Sequence, residues 1–271
     1  MKNSLGKMII FRHKVAHKIS YLIYILCGAK KRNEKELLNL KNKYSGKRFF
    51  IVCSGPSLKA EDLTKIYENG DISIGMNTIA KIYHDTPWRP TFLSATDDVV
   101  FNPKNRKMVE ECEAGYKIYD ATRYIQSKRA KGRKIFLSFD ESLELLDNPV
   151  FSSDALKKLP SIGTSVYSII EFAVFLGCKE FYILGCDLSY AVNQNRDGSI
   201  SYNDSGKNHF YAKEEDSLVT TVQNPVQIWQ LQIAYDFMAK YAKQNNIKIL
   251  NATRGGKLES FPRVDFDTLF V

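Results

Sequence analysis

The sequence predicts an α/β fold of Rossmann-like type, in which a mainly parallel sheet is covered by helices on both faces. Short apolar runs with β-forming residues recur at 48–53, 71–76, 91–96, 134–138, 180–186 and 247–251. Helical patterns lie between several of these runs and are clearest at 165–177 and 224–246. Strands that alternate with helices are typical of parallel strands joined by crossover helices.

Size and charge limit the class of protein. The chain has 271 residues and a net charge of +9, which is enough length to bury a sizeable core. Residues 1–50 contain 13 Lys and Arg against 2 Asp and Glu, a net charge of +11, so the rest carries −2. Because the basic excess is confined to one segment, we expect no nucleic-acid partner.

The basic excess belongs to residues 1–46, where basic and apolar residues are interleaved. The longest uncharged stretch, 19–29, is too short to span a membrane. Two interpretations stay open: a helix lying on an anionic membrane face, or an ordinary helix packed on the domain; a secretory signal is less favoured. We expect this amphipathic segment to precede one catalytic domain at 47–271, in a cytoplasmic protein peripheral to the inner membrane face.

The five cysteines form no C-x-x-C pair and have no histidine at metal-ligand spacing. Several lie in or beside apolar runs, where cysteine behaves as a small core residue. The pattern favours a reducing compartment and no zinc.

The first strand ends in Ser54, Gly55, Pro56 and Ser57. Ligands of open α/β sheets bind beyond the carboxyl ends of the strands, and Gly55 would let the backbone approach one closely. The hydroxyls and amides here suit a phosphate, although a plain turn is the alternative. Asn77 follows the second strand and could bond a base or sugar hydroxyl, or serve only as a turn residue.

Asp97 and Asp98 follow the third apolar run. A carboxylate pair can hold a divalent cation or accept hydrogen bonds from ribose hydroxyls. Asp is also a favoured helix N-cap, which is the structural alternative.

Gly163, Thr164 and Ser165 open the most apolar helix of the sequence. Helix N-termini present unpaired amides and partial positive charge, which bind phosphate. The same residues would cap the helix without any ligand.

A long polar stretch at about 187–223 lacks clear periodicity, and we expect it to form a lid over the site. It contains Tyr190, Tyr202 and His209. A histidine in such a lid could act as a base near neutral pH, although a lone loop histidine is more often a surface residue.

The motifs occur along the chain in the order "CSGPSL", "SIGMNTI", "TDD", "GTSVYSIIEFAVFLGCKEFYILGCDLSY", "NHFY" and "NATRGGKLESFPRV". The set resembles the DUF115 or 6-hydroxymethylpterin diphosphokinase-like family, over about residues 47–265. It is also similar, more distantly, to Campylobacter-type bacterial sialyltransferases.

The sialyltransferase resemblance implies a variant glycosyltransferase-A fold, a CMP-activated sugar donor, inversion at the anomeric carbon and no obligatory metal. It also implies roles for individual residues. The loop Gly55–Pro56–Ser57, Asn77, Thr164 and Ser165 would bind the donor, Tyr190 and Tyr202 would donate to the leaving phosphate, and His209 would be the general base. Asp97 and Asp98 stand where that family has asparagine, and they would be the ligands if Mg²⁺ took part.

We therefore expect a glycosyltransferase of surface-polysaccharide or glycoconjugate synthesis that acts on a glycan or lipid-linked acceptor. One alternative is a Mg²⁺-dependent diphosphokinase that transfers pyrophosphate from ATP to a pterin alcohol. The other is a non-catalytic protein that binds sugar nucleotides.

Overall fold

An eight-stranded sheet, parallel throughout, forms the centre of the computed structural model, which describes residues 2–203, 208–211 and 225–270. The Rossmann-like α/β prediction is thereby confirmed. The sheet strands are β1 (Arg48–Val52), β2 (Ile72–Met76), β3 (Phe92–Ser94), β4 (Tyr116–Asp120), β5 (Lys134–Asp140), β6 (Lys158–Pro160), β7 (Glu180–Leu184) and β10 (Lys248–Asn251); β8 (Val192–Gln194) and β9 (Ile200–Tyr202) form a separate hairpin.

The strand order is β10-β7-β1-β2-β3-β4-β5-β6. After β1 the chain adds strands in one direction as far as β6, and then β7 pairs with the opposite edge of β1. Val52 at the end of β1 therefore lies between Gly75 of β2 and Leu184 of β7. Such a reversal creates a crevice at the carboxyl ends of the two strands, where α/β proteins bind ligands.

Helices lie on both faces of the sheet, as predicted. They are α1 (Lys2–Leu26), α2 (Ala29–Leu40), α3 (Ala60–Glu68), α4 (Pro103–Glu111), α5 (Tyr124–Ser127), α6 (Glu144–Asp147), α7 (Ser165–Phe175) and α8 (Ile228–Gln244). Short 3₁₀ turns occur at Ile79–Ile82, Asp98–Phe101, Ala121–Arg123 and Phe266–Phe270.

Two apolar cores form because both faces of β1 are covered. Phe49 and Ile51 belong to the core that includes α7 and α8, whereas Phe50 and Val52 belong to the core that includes α3. All four side chains are fully buried. A strand buried on both faces needs a continuous apolar run, which explains the run in the sequence.

The six strands and two helices expected from the sequence are confirmed with shifts of a few residues at their ends. Strands β4 and β6 were not predicted, and neither was the β8–β9 hairpin inside the expected lid. The remainder of that lid lies partly outside the described residues, at 204–207 and 212–224.

The N-terminal segment packs against the sheet domain. In α2, Asn33 donates to the carbonyl of Phe136 and accepts from its amide, both at 2.8 Å. The predicted boundary at 46/47 falls in the turn between α2 and β1. Within the described part of the chain, no helix has both the length and the apolar character needed to cross a membrane.

Candidate functional site

The loop after β1 lies directly against the loop after β7. The Gly55 amide donates to the Gly185 carbonyl at 2.8 Å, and Ser57 Oγ donates to Asp187 Oδ2 at 2.9 Å. A Cβ at position 55 would overlap the Asp187 carboxylate and the Gly185 carbonyl oxygen. Only glycine therefore allows this approach, which is the physical reason for Gly55 in the loop after β1.

His209 lies over the same loop. Its Nδ1 is 3.0 Å from Ser54 Oγ, and the next amide, that of Phe210, donates to the Ser54 carbonyl at 3.0 Å. The His209 ring stacks on Tyr211, with 4.9 Å between ring centroids. Part of the predicted lid thus closes over the end of β1 and holds the imidazole there.

The surroundings of His209 favour the neutral imidazole. Burial lowers its pKa, and the positive charge of Lys81 lowers it further, while Asp97 acts in the opposite direction. Lys81 is held nearby, with its Nζ 3.7 Å from the centroid of the Tyr211 ring. A neutral imidazole at neutral pH is the form that can accept a proton.

Asn77, at the end of β2, presents an unused acceptor. Its backbone has φ of 50°, in the left-handed region that Asn tolerates, and its amide donates to the Ser94 carbonyl at 2.7 Å. Its side-chain Oδ1 is buried and has no hydrogen-bond partner among the described residues. Such an atom costs free energy unless a ligand or water supplies a donor.

A cleft of about 750 Å³ opens beyond the ends of β3 to β6 and the beginning of α7. Of the residues predicted to bind the donor, Asp97, Asp98, Gly163, Thr164 and Ser165 line it. The loop 54–57 and His209 are not among its lining residues, so the predicted site divides into two parts. Asp97 connects them, because its charge acts on His209 while its side chain lines the cleft.

Four aspartates that line the cleft have partners within the protein. Asp97, Asp120 and Asp140 each accept from the backbone amide two residues later, at 3.0, 2.7 and 3.1 Å. Asp98 forms an ion pair with Arg123. The N-cap alternative for Asp97 is therefore realised in the structure.

Metal ligation was a further possibility for Asp97 and Asp98. Across residues 2–203, 208–211 and 225–270, no three His, Cys, Asp or Glu side chains are grouped so that they could hold a metal ion. The proposed Mg²⁺ ligation therefore stays a prediction.

The N-terminus of α7 faces the cleft. Thr164 caps it, with Oγ1 accepting from the Val166 amide at 3.3 Å, and Gly163 precedes it with φ of 63°. Thr164 Oγ1 also lies 3.2 Å from the hydroxyl of Tyr235, which is 3.4 Å from Cys186 Sγ at the end of β7. This chain of contacts links the cleft to the crevice between β1 and β7.

The two lid tyrosines occupy different surroundings. Tyr190 is half-buried, and burial raises its pKa, with the charges of Asp187 and Asp97 acting in the same direction. Tyr202 lies opposite Val192 in the β8–β9 hairpin and is 64 % exposed. The structure therefore brings Tyr190 into the charged neighbourhood of the site and leaves Tyr202 on the surface.

Three residues of the site were not predicted. Asp187 comes three residues after the end of β7, so its position after a strand was a signal that could have identified it. Arg123 follows β4, a strand that the sequence analysis missed. His17 of α1 lines the cleft, and no local pattern in the N-terminal segment indicated this.

Comparisons with known proteins agree with this fold. The structure resembles the MAf glycosyltransferase from Magnetospirillum magneticum AMB-1, with a TM-score of 0.52 and 17% sequence identity. The likeness covers 88% of this chain and 39% of that chain, so this chain spans well under half of its neighbour's length. A comparison with curated proteins finds no match. The sequence profile of the 6-hydroxymethylpterin diphosphokinase MptE-like family matches residues 28–193, more than half of the chain, and the protein therefore belongs to that family.

Proposed function

We propose that the protein is an inverting glycosyltransferase that uses a CMP-activated sugar in the synthesis of a surface polysaccharide or glycoconjugate. The main support is the position of His209 at the point where the strand order reverses, with a lowered pKa and a contact to Ser54. The likeness in fold to the MAf glycosyltransferase supports the coarser part of the proposal, a glycosyltransferase.

The donor would lie between the cleft and the end of β1. Its phosphate would accept hydrogen bonds from the amides at the start of α7, near Thr164 and Ser165, where the helix dipole also favours negative charge. Asn77 Oδ1 would accept from a donor hydroxyl and so satisfy a buried atom that otherwise lacks a partner. The glycine-containing loop 54–57 would form the wall behind the phosphate.

In the reaction, a hydroxyl of the acceptor attacks the anomeric carbon as the bond from that carbon to the phosphate oxygen breaks. With Nδ1–H donating to Ser54, Nε2 of His209 takes the acceptor proton and later releases it to solvent. The nucleotide leaves with the bonding electron pair, and its phosphate charge is stabilised by the α7 amides and by a hydrogen bond from Tyr190. No step in this scheme requires a metal ion.

The acceptor would be a glycan or a lipid-linked sugar. Arg123 and Lys158 line the same cleft as the carboxylates, so the cleft offers charges of both signs. A surface of mixed charge with many oxygen acceptors suits a ligand rich in hydroxyl groups.

The family description itself favours a second candidate, a diphosphokinase that transfers pyrophosphate from ATP to a pterin alcohol. That reaction needs Mg²⁺ between the phosphates. Asp97 and Asp98 would have to exchange their present contacts, an amide and Arg123, for the metal.

A thermal-shift panel with CMP, UDP, GDP, ADP and ATP, each with and without Mg²⁺, tests the proposal. A ligand at 100 times its dissociation constant stabilises the folded protein by about 2.7 kcal/mol. We expect stabilisation by CMP without metal, followed by transfer activity with CMP-sugars. A shift only with ATP and Mg²⁺ would favour the diphosphokinase. A shift with UDP or GDP would keep the glycosyltransferase but show that its donor is not a CMP-sugar.

A further inference from the structure

One face of α1 packs against the protein. Ser20 Oγ accepts from the Ile125 amide at 3.0 Å, and the buried Tyr24 ring lies 5.4 Å from that of Tyr124 and 5.5 Å from that of Phe136. His17, one turn before, lines the cleft. These contacts fix both the position of α1 and its rotation about its own axis.

The opposite face of α1 is apolar and exposed. Its side chains are Phe11, Val15, Ile19, Leu22 and Leu26, with exposed fractions of 67, 38, 50, 55 and 82%. At about 100° per residue, their spacing places all five within an arc of about 80°, diametrically opposite the packed face. We call these five residues the α1 stripe. An apolar surface of this kind needs a partner.

The charge of α1 indicates the partner. The helix contains five basic and no acidic residues. Arg12, Lys14 and Lys18 are exposed beside the α1 stripe. Two copies of the protein paired through their stripes would bring like charges together, whereas an anionic lipid surface complements them.

We propose that the α1 stripe docks the protein flat on an anionic membrane, with the apolar side chains in the acyl boundary and the basic residues at the headgroups. Because His17 lies on the packed face of the same helix, opposite the α1 stripe, and lines the cleft, docking holds the cleft one helix diameter, roughly 10 Å, from the lipid surface. Lipid-linked substrates that diffuse in the membrane would then reach the cleft with headgroups that extend over this distance. The docking itself does not depend on the proposed chemistry, whereas its use for lipid-linked substrates rests on the proposed function.

Vesicle co-sedimentation of the full-length protein tests it without an activity assay. The vesicles contain phosphatidylcholine alone or phosphatidylcholine with phosphatidylglycerol. We expect binding to the anionic vesicles, weaker binding to the neutral ones, and loss of binding at high salt. Ile19→Gln with Leu22→Gln should weaken binding about tenfold per residue, and Lys14→Gln with Lys18→Gln about fivefold per residue.

The matched control is Lys107→Gln with Lys240→Gln, which removes the same charge from exposed sites on α4 and α8 and should leave binding unchanged. All variants alter exposed side chains, so each should unfold at the wild-type temperature. Equal binding to both vesicles, no binding, or wild-type binding by the stripe variants overturns the proposal. A dimer in light scattering that Ile19→Gln with Leu22→Gln dissociates, without vesicle binding, would assign the stripe to a second copy.

Discussion

Ser57 donates its hydroxyl to Asp187 Oδ2 across 2.9 Å and so joins the loop after β1 to the loop after β7. These two strands are neighbours in the sheet although they are far apart in the chain. Burial raises the pKa of Asp187, and the bonds from Ser57 oppose that rise because they stabilise the carboxylate. The two sides of the crevice are therefore held together by a partly buried polar contact.

The first prediction concerns the close approach at Gly55. Gly55→Ala would push a methyl group into the Asp187 carboxylate and the Gly185 carbonyl, so we expect a loss of about 1–3 kcal/mol in unfolding free energy. The thermal shift with CMP should also disappear. Urea unfolding measures the first effect. Gly198→Ala is the control for binding: no atom lies within 4 Å of the added methyl, so only the backbone strain at φ of 87° lowers stability, and the CMP shift should remain. Wild-type stability and CMP binding in Gly55→Ala would contradict this account.

The second prediction concerns the general base. His209→Asn should lower kcat by about 10²- to 10⁴-fold, because the acceptor proton loses its base, while the dissociation constant for CMP stays nearly constant. Transfer assays and calorimetric titration measure the two quantities. His84→Asn, at an exposed histidine, is the control. Unchanged glycan in cells that carry only His209→Asn would favour the non-catalytic alternative.

The third prediction concerns the pH dependence of kcat/KM. In the proposed mechanism the neutral form of His209 is the active one, so activity should fall on the acid side as the imidazole gains a proton, and the lowered pKa of His209 moves that fall to lower pH than for an ordinary histidine. Lys81→Met removes a positive charge, raises the pKa and moves the acid limb to higher pH. Asp97→Asn removes a negative charge and moves the limb to lower pH. If the acid limb of the kcat/KM profile does not move in either variant, the titration of a group other than His209 sets it.

The fourth prediction concerns Glu171, which is fully buried in α7. Its Oε1 accepts from the Ser152 amide at 2.7 Å, and burial raises its pKa to about 9. The folded protein thus keeps a proton that the unfolded chain releases above pH 4.5. Stability should fall between pH 4.5 and about 9, by up to about 1.4 kcal/mol per pH unit.

Glu171→Gln keeps the acceptor for Ser152 and removes the titrating group. We therefore expect the variant to match the wild type near pH 5 and to be the more stable protein near pH 8, as measured by urea unfolding across that range. Glu111→Gln, at an exposed glutamate of α4, should keep the wild-type pH dependence. If the unfolding free energies of Glu171→Gln and the wild type depend on pH in the same way, Glu171 ionises normally in the folded protein.

The sequence predicted the fold well where strands are buried on both faces. Continuous apolar runs such as 49–52 can be recognised because neither face of the strand meets water. β4 was missed because its sequence, YKIYD, places Lys117 between apolar residues, although that lysine is buried and donates to the Glu110 carbonyl at 2.7 Å. β6 has only three residues and contains a proline, which argues against a strand in any local pattern.

The candidate site was predicted in part. Residues that follow strands were found because the carboxyl edge of a parallel sheet gathers them, as it does Ser57 and Asn77. The contact of His209 with Ser54 could not be predicted, since it joins positions 155 residues apart through a loop without periodicity. The placement of His17 in the cleft depends on how α1 packs, which local sequence does not determine.

The strand order also sets a sequence of events during synthesis. β1 can pair with β2 soon after both leave the ribosome, but its other edge waits for β7, and β7 in turn waits for β10 near the end of the chain. An emerging chain therefore exposes one edge of β1, a strand with four apolar residues in succession, for most of translation. The crevice that contains Ser57 and Asp187 is completed only late, so a truncated chain would have part of the sheet and no binding site.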